Sequence, residues 1–218
     1  EKHADDFSTR EIETMSQSLI TLKDIAWGLG EDVLKNLKKI LHISGEDIAL
    51  SAKAFEKYAR INLILNGLDR LEVRGRDSCG IQLAVTFKDS RDLQEALIKM
   101  KQEGLYEDFL TRSRPGDVWN RSVHVSPGAL VFTYKTAQVT GDLGDNTAKL
   151  REYLRMDRIL KIVLEGSSDS QMYLAHTRWA SVGAINEANC HPLNNFSSDG
   201  KNDQELDFSP LNKTYPYY

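Results

Sequence analysis

Two short tracts of the sequence hold residue types at spacings that suit ligand chemistry. The first is residues 74–80, Arg-Gly-Arg-Asp-Ser-Cys-Gly. Its glycines allow a tight turn, its Asp and Ser can bind free backbone N–H groups, and Arg74 offers a forked donor for a carboxylate or a carbonyl. The same composition is also typical of a purely structural turn between a helix and a strand, and both interpretations stay open here.

The second tract is residues 176–183, His-Thr-Arg-Trp-Ala-Ser-Val-Gly, with Asn-Cys-His-Pro following at 189–192. An arginine beside a tryptophan at a strand end suits a small charged ligand. The guanidinium of Arg178 can hold a carboxylate at two points while the indole of Trp179 covers it. The alternative is an Arg–Trp stack on the surface, with His176 as a hydrogen-bonded core residue.

Taken together, the two tracts resemble the type-2 glutamine amidotransferases. Residues 65–80 are similar to the family's succession of Gly-Leu, Leu-Glu, Arg-Gly and Asp-Ser-Ala-Gly, and residues 176–192 are similar to its glutamine-binding segment. Trp179 favours the glucosamine-6-phosphate synthases (glutamine–fructose-6-phosphate aminotransferases) over the purine-pathway relatives, which usually carry Tyr there. The specific matches cover residues 61–87 and 171–193, with a looser likeness through 129–160.

The resemblance implies an α+β fold, an incomplete N-terminal-nucleophile hydrolase-like α-β-β-α sandwich. In that family a cysteine at the start of the mature chain attacks the glutamine side-chain amide, and its own α-amino group is the base. That cysteine is expected upstream of Glu1, and the Asn–Gly pair that stabilises the oxyanion is expected beyond residue 218. The resemblance therefore implies a piece of a longer chain, with no catalytic residue, cofactor or metal within it.

The resemblance also implies roles for residues of the two tracts. Arg178 would hold the glutamine α-carboxylate and Trp179 would help to cover the site. Ser181 stands where the family usually has a glutamine-binding Thr, and His191 would support the pocket wall. The residues expected to shape the pocket are Arg74, Gly75, Asp77, Ser78, His176 and Thr177.

The sequence departs from the family at several positions. Cys79 and Cys190 both stand where the family usually has Ala, and Val182 replaces a residue that is often His. Both cysteines are internal and lack the free amino group that the mechanism needs. Because a buried free cysteine usually behaves as a small apolar residue, we predict that both are inert. Residues 88–128 exceed what the family requires and are predicted to be an insertion.

The function implied is that of a glutamine-dependent aminotransferase that passes ammonia to a sugar phosphate, converting fructose 6-phosphate to glucosamine 6-phosphate. The implied partners are glutamine, a sugar-phosphate isomerase domain in the same parent chain, and a second copy of the parent protein in a homodimer. The alternative is a catalytically inactive domain that senses glutamine or binds a protein. A plain helical adaptor would explain only residues 1–60.

Length and composition exclude several other classes. A chain of 218 residues with 40% hydrophobic and 28% charged residues can bury a core without disulfides. A net charge of −4 gives no electrostatic sign of nucleic-acid binding. No apolar run approaches the about 20 residues that cross a bilayer, so no membrane partner is expected. The two cysteines are too few for a disulfide framework, which favours a reducing, cytoplasmic location.

Hydrophobic spacing predicts how the chain is organised. Residues 1–45 are predicted to be an added helical element, packed on the outside of the domain. Its apolar stripe runs from Ile12 to Ala26, with a capping box at Ser8 and helix stops at Gly28 and Gly30.

The rest of the chain is predicted to hold the partial amidotransferase domain at 46–193, followed by a loop or disordered tail at 194–218. A third helix is predicted to start at residues 44–47. Alternating and helical spacings then predict strands at 81–87, 129–134 and 171–175, helices at 93–100 and 147–154, and a long surface loop at 111–128.

Overall fold

A computed structural model of the chain describes residues 7–45, 50–114, 116, 118–137 and 142–193. It contains two compact units, Glu1–His42 and Ile43–Tyr218. The predicted tail at 194–218 lies outside the described residues, as do residues 46 and 47 of the predicted start of the third helix.

The first unit begins with helix α1 (Thr9–Trp27). Its predicted capping box is confirmed: Ser8 N donates to the Glu11 carboxylate at 2.8 Å, and Glu11 N donates to Ser8 Oγ at 3.4 Å. No residue of α1 is buried in the structure.

The predicted end of α1 at Gly28 is confirmed, since Gly28 is its C-cap, but the backbone does not leave the helical conformation there. The chain continues through a π-helical segment (Gly28–Leu34) into helix α2 (Lys35–Ser44). Gly28 keeps helical backbone angles (φ −59°, ψ −42°). A glycine inside a helix costs only about 1 kcal/mol relative to alanine, which good helix formers on both sides can offset. The left-handed residue that follows a helix end is instead Gly45, with φ +80°.

The second unit is built on a four-stranded antiparallel sheet in the order β2-β3-β1-β4. Central strand β1 (Ser78–Thr86) pairs on one side with β3 (Ala129–Ala137) and on the other with β4 (Gln171–Arg178). The predicted strands at 81–87, 129–134 and 171–175 are thus confirmed, with β1 beginning three residues earlier than predicted. Strand β2 (Val123–Ser126) completes the sheet beside β3.

Helices cover one face of this sheet. The side chains on this covered face are buried, and Ile81, Leu83 and Phe132 are fully so. Helix α3 (Ala52–Leu71) packs on β4, and α6 (Asp145–Met156) packs on β1 and β3. Helix α7 (Arg158–Glu165) packs on α3 and on α4 (Ser90–Gln102). The fold is therefore of the α+β class, and the predicted helices at 93–100 and 147–154 are confirmed within α4 and α6.

The other face of the sheet is partly open at edge strand β4. Met172 and Leu174 point away from the helices and are 73% and 57% exposed. Residues on a strand alternate between the two faces, so these apolar side chains belong to the face opposite the helical layer. The sheet therefore presents uncovered apolar surface beside its central strand.

Two further predictions need correction. Helix α3 starts at Ala52 with Ser51 Oγ accepting from Ala54 N at 3.2 Å, rather than at residues 44–47, where Ser44 still belongs to α2. The predicted surface loop at 111–128 contains the end of helix α5 (Tyr106–Arg112) and all of β2. A four-residue strand is too short for alternation to distinguish it from a loop.

None of the helices in the described part of the chain is both long and apolar enough to cross a membrane.

Candidate functional site

The two tracts singled out by the sequence lie side by side at one end of the sheet. Strand β1 begins at Ser78 and β4 ends at Arg178, and these two residues are paired in the β1–β4 register. The contact continues past the strand ends, where Asp77 N donates to the Arg178 carbonyl at 3.2 Å. The sheet thus brings together tracts that are about a hundred residues apart in sequence.

Asp77 and Gly75 fix the loop that follows β4. The Asp77 carboxylate accepts a hydrogen bond from Ala180 N at 2.6 Å. A Cβ added at Gly75 would lie 2.9 Å from Thr177 Oγ1 and 3.0 Å from Arg178 N. Because real Cβ atoms rarely approach so closely, this junction requires glycine at 75.

Arg178 lies at the centre of the candidate site. Its Nη2 donates to the Val182 carbonyl at 2.7 Å and its Nη1 donates to the Ala184 carbonyl at 3.3 Å. These two bonds fold the loop back around the guanidinium. A guanidinium has five N–H donors, and the described residues engage two of those of Arg178, so three remain for a ligand.

The side chains beside Arg178 are accessible. Trp179 is 67% exposed and Val182 is 84% exposed. Ser181 is also exposed, and its N–H donates to the Trp179 carbonyl at 3.0 Å. The site is therefore an open surface in this chain, with a cation and an indole at adjacent positions.

His176 and His191 lie next to each other beside the Arg178 loop. Their ring centroids are 4.6 Å apart, and His176 is exposed, which contradicts its interpretation as a core residue. Partial desolvation of its ring, together with the nearby His191 and Arg178, lowers the pKa of His176 below its ordinary value. The lowered pKa favours the neutral form of the His176 imidazole, in which one ring nitrogen donates and the other accepts a hydrogen bond.

The segment around His191 crosses directly over Gly80 of the central strand. A Cβ built at Gly80 would lie 2.0 Å from the His191 carbonyl oxygen and 3.1 Å from Pro192 Cδ. Asn189 holds the preceding turn, since its Nδ2 donates to the Ala184 carbonyl at 3.1 Å. The close crossing at Gly80 therefore ties the site loop to the sheet.

This crossing gives a prediction for Gly80→Ala. The added methyl group cannot fit against the His191 carbonyl, so we expect the variant to lose about 1–3 kcal/mol of unfolding free energy, the usual cost of overpacking. Gly67→Ala is the matched control, since its Cβ meets nothing within 4 Å in helix α3 and should stabilise by up to about 1 kcal/mol. Urea unfolding measures the free energy of unfolding of both variants. Equal stabilities would contradict the close contact between Gly80 and the His191 carbonyl.

Glu72 anchors the start of helix α6 next to the tract before β1, a role that the sequence patterns do not predict. Its buried carboxylate accepts from Gly144 N at 3.2 Å, Asn146 N at 3.1 Å and Thr147 Oγ1 at 3.0 Å at the start of α6. A carboxylate at a helix N-terminus is favourable because it satisfies free N–H groups. Asn146 in turn donates to the Arg76 carbonyl at 2.7 Å, which fixes the tract before β1.

Of the pocket-shaping residues predicted from sequence, the structure groups Gly75, Asp77, Ser78 and Thr177 at the junction of β1 and β4. Arg74 is exposed, and no hydrogen bond of its side chain is present among the described residues. Among the described residues no hydrogen bond joins the Arg74 side chain to Arg178, although the short helical turn that contains Arg74 lies against β4.

Both cysteines are buried free thiols. Burial raises the pKa of Cys79 strongly, with a further contribution from Glu72, and burial also raises the pKa of Cys190. The Cys190 thiol donates to the Cys79 carbonyl at 3.2 Å. A nucleophilic cysteine needs a lowered pKa and access, so these features support the prediction that both are inert.

The described residues contain no group of three or more His, Cys, Asp or Glu side chains that could hold a metal ion. Comparisons with protein-family models, curated proteins and solved structures find no match to this chain.

Proposed function

We propose that this chain is the glutamine-binding part of a glutamine-dependent amidotransferase of the N-terminal-nucleophile type. The observation that carries the proposal is the placement of Arg178, whose guanidinium is fixed by two loop carbonyls and retains three donors beside exposed Trp179. A fixed guanidinium suits two-point binding of a carboxylate, and the α-carboxylate of glutamine is such a group.

The fold is compatible with this proposal. In an α-β-β-α sandwich a second sheet packs on the face of the first that its helices leave free. Met172 and Leu174 supply exposed apolar surface on that face here. In the proposed sandwich, a second sheet packs on the face that carries Met172 and Leu174, and parts of the parent protein outside the described residues supply it.

The chemistry proposed is hydrolysis of the glutamine side-chain amide by an N-terminal cysteine upstream of Glu1. Its thiolate adds to the amide carbon, ammonia leaves, and water then releases glutamate from the acyl-enzyme. The ammonia acceptor is a sugar phosphate, with fructose 6-phosphate favoured by the sequence likeness of Trp179. An isomerase domain of the same parent protein would hold that acceptor.

A glutaminase assay tests the proposal. We expect the longer parent protein to release glutamate from glutamine, and this chain alone to release none, because Cys79 and Cys190 are buried and lack a free α-amino group. Cys79→Ala and Cys190→Ala in the parent protein should leave the rate unchanged.

Two outcomes would count against this assignment. Glutamate release by the chain alone, lost on either cysteine substitution, would show that an internal cysteine is the nucleophile. A parent protein that binds glutamine in calorimetry but releases no glutamate would favour the alternative function, an inactive glutamine-sensing or protein-binding module. The uncovered apolar stripe of α1 is the feature that favours this alternative.

A further inference from the structure

Basic side chains gather at the end of the sheet where β1 begins and β4 ends. Arg76, His176, Arg178 and His191 are called here the basic cluster. Residues 176 and 178 are two apart on β4, so their side chains lie on the same face of the sheet. The ring centroids of His191 and His176 are 4.6 Å apart. Arg76 pairs with Arg178 in an isolated β-bridge, and paired strands lie only about 4.8 Å apart. The four side chains can therefore reach one small ligand.

The carboxylates of the neighbouring tract are engaged away from this cluster. Glu72 accepts hydrogen bonds at the start of α6, and Asp77 accepts from Ala180 N. Within the described residues no ion pair involves Arg76 or Arg178. Two of the groups that lower the pKa of His176, after desolvation, are the basic side chains beside it. Like charges without a counter-charge oppose one another, so the basic cluster favours the binding of an anion.

Charged groups on the adjoining elements do not neutralise the basic cluster. Lys135 of β3 lies in the same row of paired residues as Gly80 and His176, and it adds a further positive charge on that side. Glu187 is the only acidic residue in the sequence between 179 and 193. The basic groups that act on its carboxyl are Lys135 and Lys149, neither of which belongs to the cluster. The excess of positive charge at the cluster is therefore local.

The number and kind of these groups favour a phosphate group over a single carboxylate. A carboxylate has one charge, whereas a phosphate monoester has a charge of about −1.5 to −2 at pH 7 and three acceptor oxygens. Guanidinium groups bind phosphate oxygens at two points. Arg178 keeps three donors after its two bonds to loop carbonyls, and the Arg76 side chain makes no hydrogen bond within the described residues. The net charge of −4 opposes a long polyanion, so a small ligand is favoured.

We propose that the basic cluster binds the phosphate group of a small phosphate monoester. Arg76 and Arg178 hold its oxygens, and His176 and His191 donate to it from the adjacent positions. The site shares Arg178 with the proposed glutamine site, so a phosphate monoester would compete with glutamine. The inference does not rest on the glutamine chemistry, because it concerns the binding of an anion by this chain and needs no nucleophile.

Titration calorimetry of the full 218-residue chain with inorganic phosphate and with glycerol phosphate tests the site. Arg76→Gln should raise both dissociation constants at least about tenfold, the usual effect of losing hydrogen bonds to a charged group. Arg91→Gln is the matched control. It removes the same charge beyond the other end of β1, where Arg91 pairs with Asp89, and should leave both constants unchanged. Both arginines are exposed, so circular dichroism should show both variants folded.

Three results of this titration would overturn the proposal. The first is that neither anion binds, or that Arg76→Gln binds both as tightly as the wild type. The second is that inorganic phosphate binds and glycerol phosphate does not, which would exclude a monoester. The third is that succinate binds more tightly than glycerol phosphate, which would show that the cluster takes two carboxylates instead.

Sulfate gives a second readout that a merely structural role of His176 would not change. Sulfate stays a dianion over the titration range of histidine, so the pH dependence of its binding comes from the protein. A bound dianion favours the charged imidazole and should raise the pKa of His176, so sulfate should bind more tightly as the pH falls through that pKa. NMR titration of the His176 ring with and without sulfate measures the shift, and His176→Gln should reduce the pH dependence of binding. An unchanged pKa of His176 in saturating sulfate would overturn the assignment of the cluster.

Discussion

Replacing Arg178 by lysine in the parent protein should reduce glutamine use by about 10- to 150-fold, a loss of about 1.5–3 kcal/mol. A lysine has a single charged nitrogen and no planar fork. It cannot hold the carbonyls of Val182 and Ala184 and still offer two aligned donors to a carboxylate. We therefore expect the KM for glutamine to rise more than kcat falls, since the proposed function has Arg178 bind the α-carboxylate of the substrate at a distance from the reacting amide.

Arg70→Lys is the matched control for this experiment. Arg70 is exposed on helix α3, and no hydrogen bond of its side chain occurs among the described residues. Its conservative replacement should leave both kinetic constants unchanged. If Arg178→Lys and Arg70→Lys gave the same steady-state kinetics with glutamine, Arg178 would not be the group that binds the carboxylate.

Replacing Arg112 by alanine should destabilise the second unit by about 3–5 kcal/mol, the cost of leaving a buried charge without its partner. Arg112 makes a two-point ion pair with Asp157, which is fully buried. It also donates through Nε to the Arg121 carbonyl at 2.6 Å. Asp157 in turn accepts from Tyr134 OH at 2.7 Å and caps helix α7, so one pair joins α5, β3 and α7.

Urea unfolding followed by tryptophan fluorescence measures this loss. Arg155→Ala is the matched control, because Arg155 forms an exposed pair with Glu152 at 3.3 Å and such pairs contribute at most about 1 kcal/mol. A change of less than about 1 kcal/mol for both variants would contradict the role assigned to Arg112.

The effect of Arg112→Ala should depend on pH. Burial by itself would raise the pKa of Asp157, but hydrogen bonds and charge from Arg112 lower it below its ordinary value. Ionised Asp157 therefore contributes stability above the unfolded-state pKa of about 3.9, and this contribution is lost as the pH falls through the lower folded-state pKa. The variant keeps the burial, which raises the pKa of Asp157, without the partner that lowers it. The difference from wild type should therefore shrink as the pH falls from the raised folded-state pKa of the variant to the lowered folded-state pKa of the wild type.

Local patterns predict the elements that have long regular apolar spacing. Strand β1 is an example, since Ile81, Leu83 and Val85 alternate inward and are all fully buried. Helix α7 is not predicted, because its sequence Arg-Ile-Leu-Lys-Ile-Val-Leu-Glu is short and apolar on most sides. Periodicity cannot distinguish such a segment from a buried strand. The decisive feature is its cap at Asp157, whose carboxylate accepts from Ile159 N and Leu160 N.

The candidate site could be predicted in part. The residue types at 74–80 and 176–183 identify both tracts, but their contact depends on the pairing of β1 with β4, and no local pattern specifies a partner at that distance. The same limit applies to Glu72 and Arg112. Each is a charged residue that composition alone would place on the surface, and each is buried because a partner distant in sequence satisfies it.

The position of β4 in the sheet has a consequence for biosynthesis. Strand β4 is the last described strand of the chain. The edge of β1 that pairs with β4 therefore stays unpaired until the segment between Thr86 and Gln171 has left the ribosome. An unpaired strand edge is a template for wrong pairing, and domains form at the pace of synthesis, about 5–20 residues per second. The nascent chain therefore carries an open central strand for several seconds. The tract at 176–183 takes its place only with the final pairing, which makes the candidate site the last part of the sheet to form.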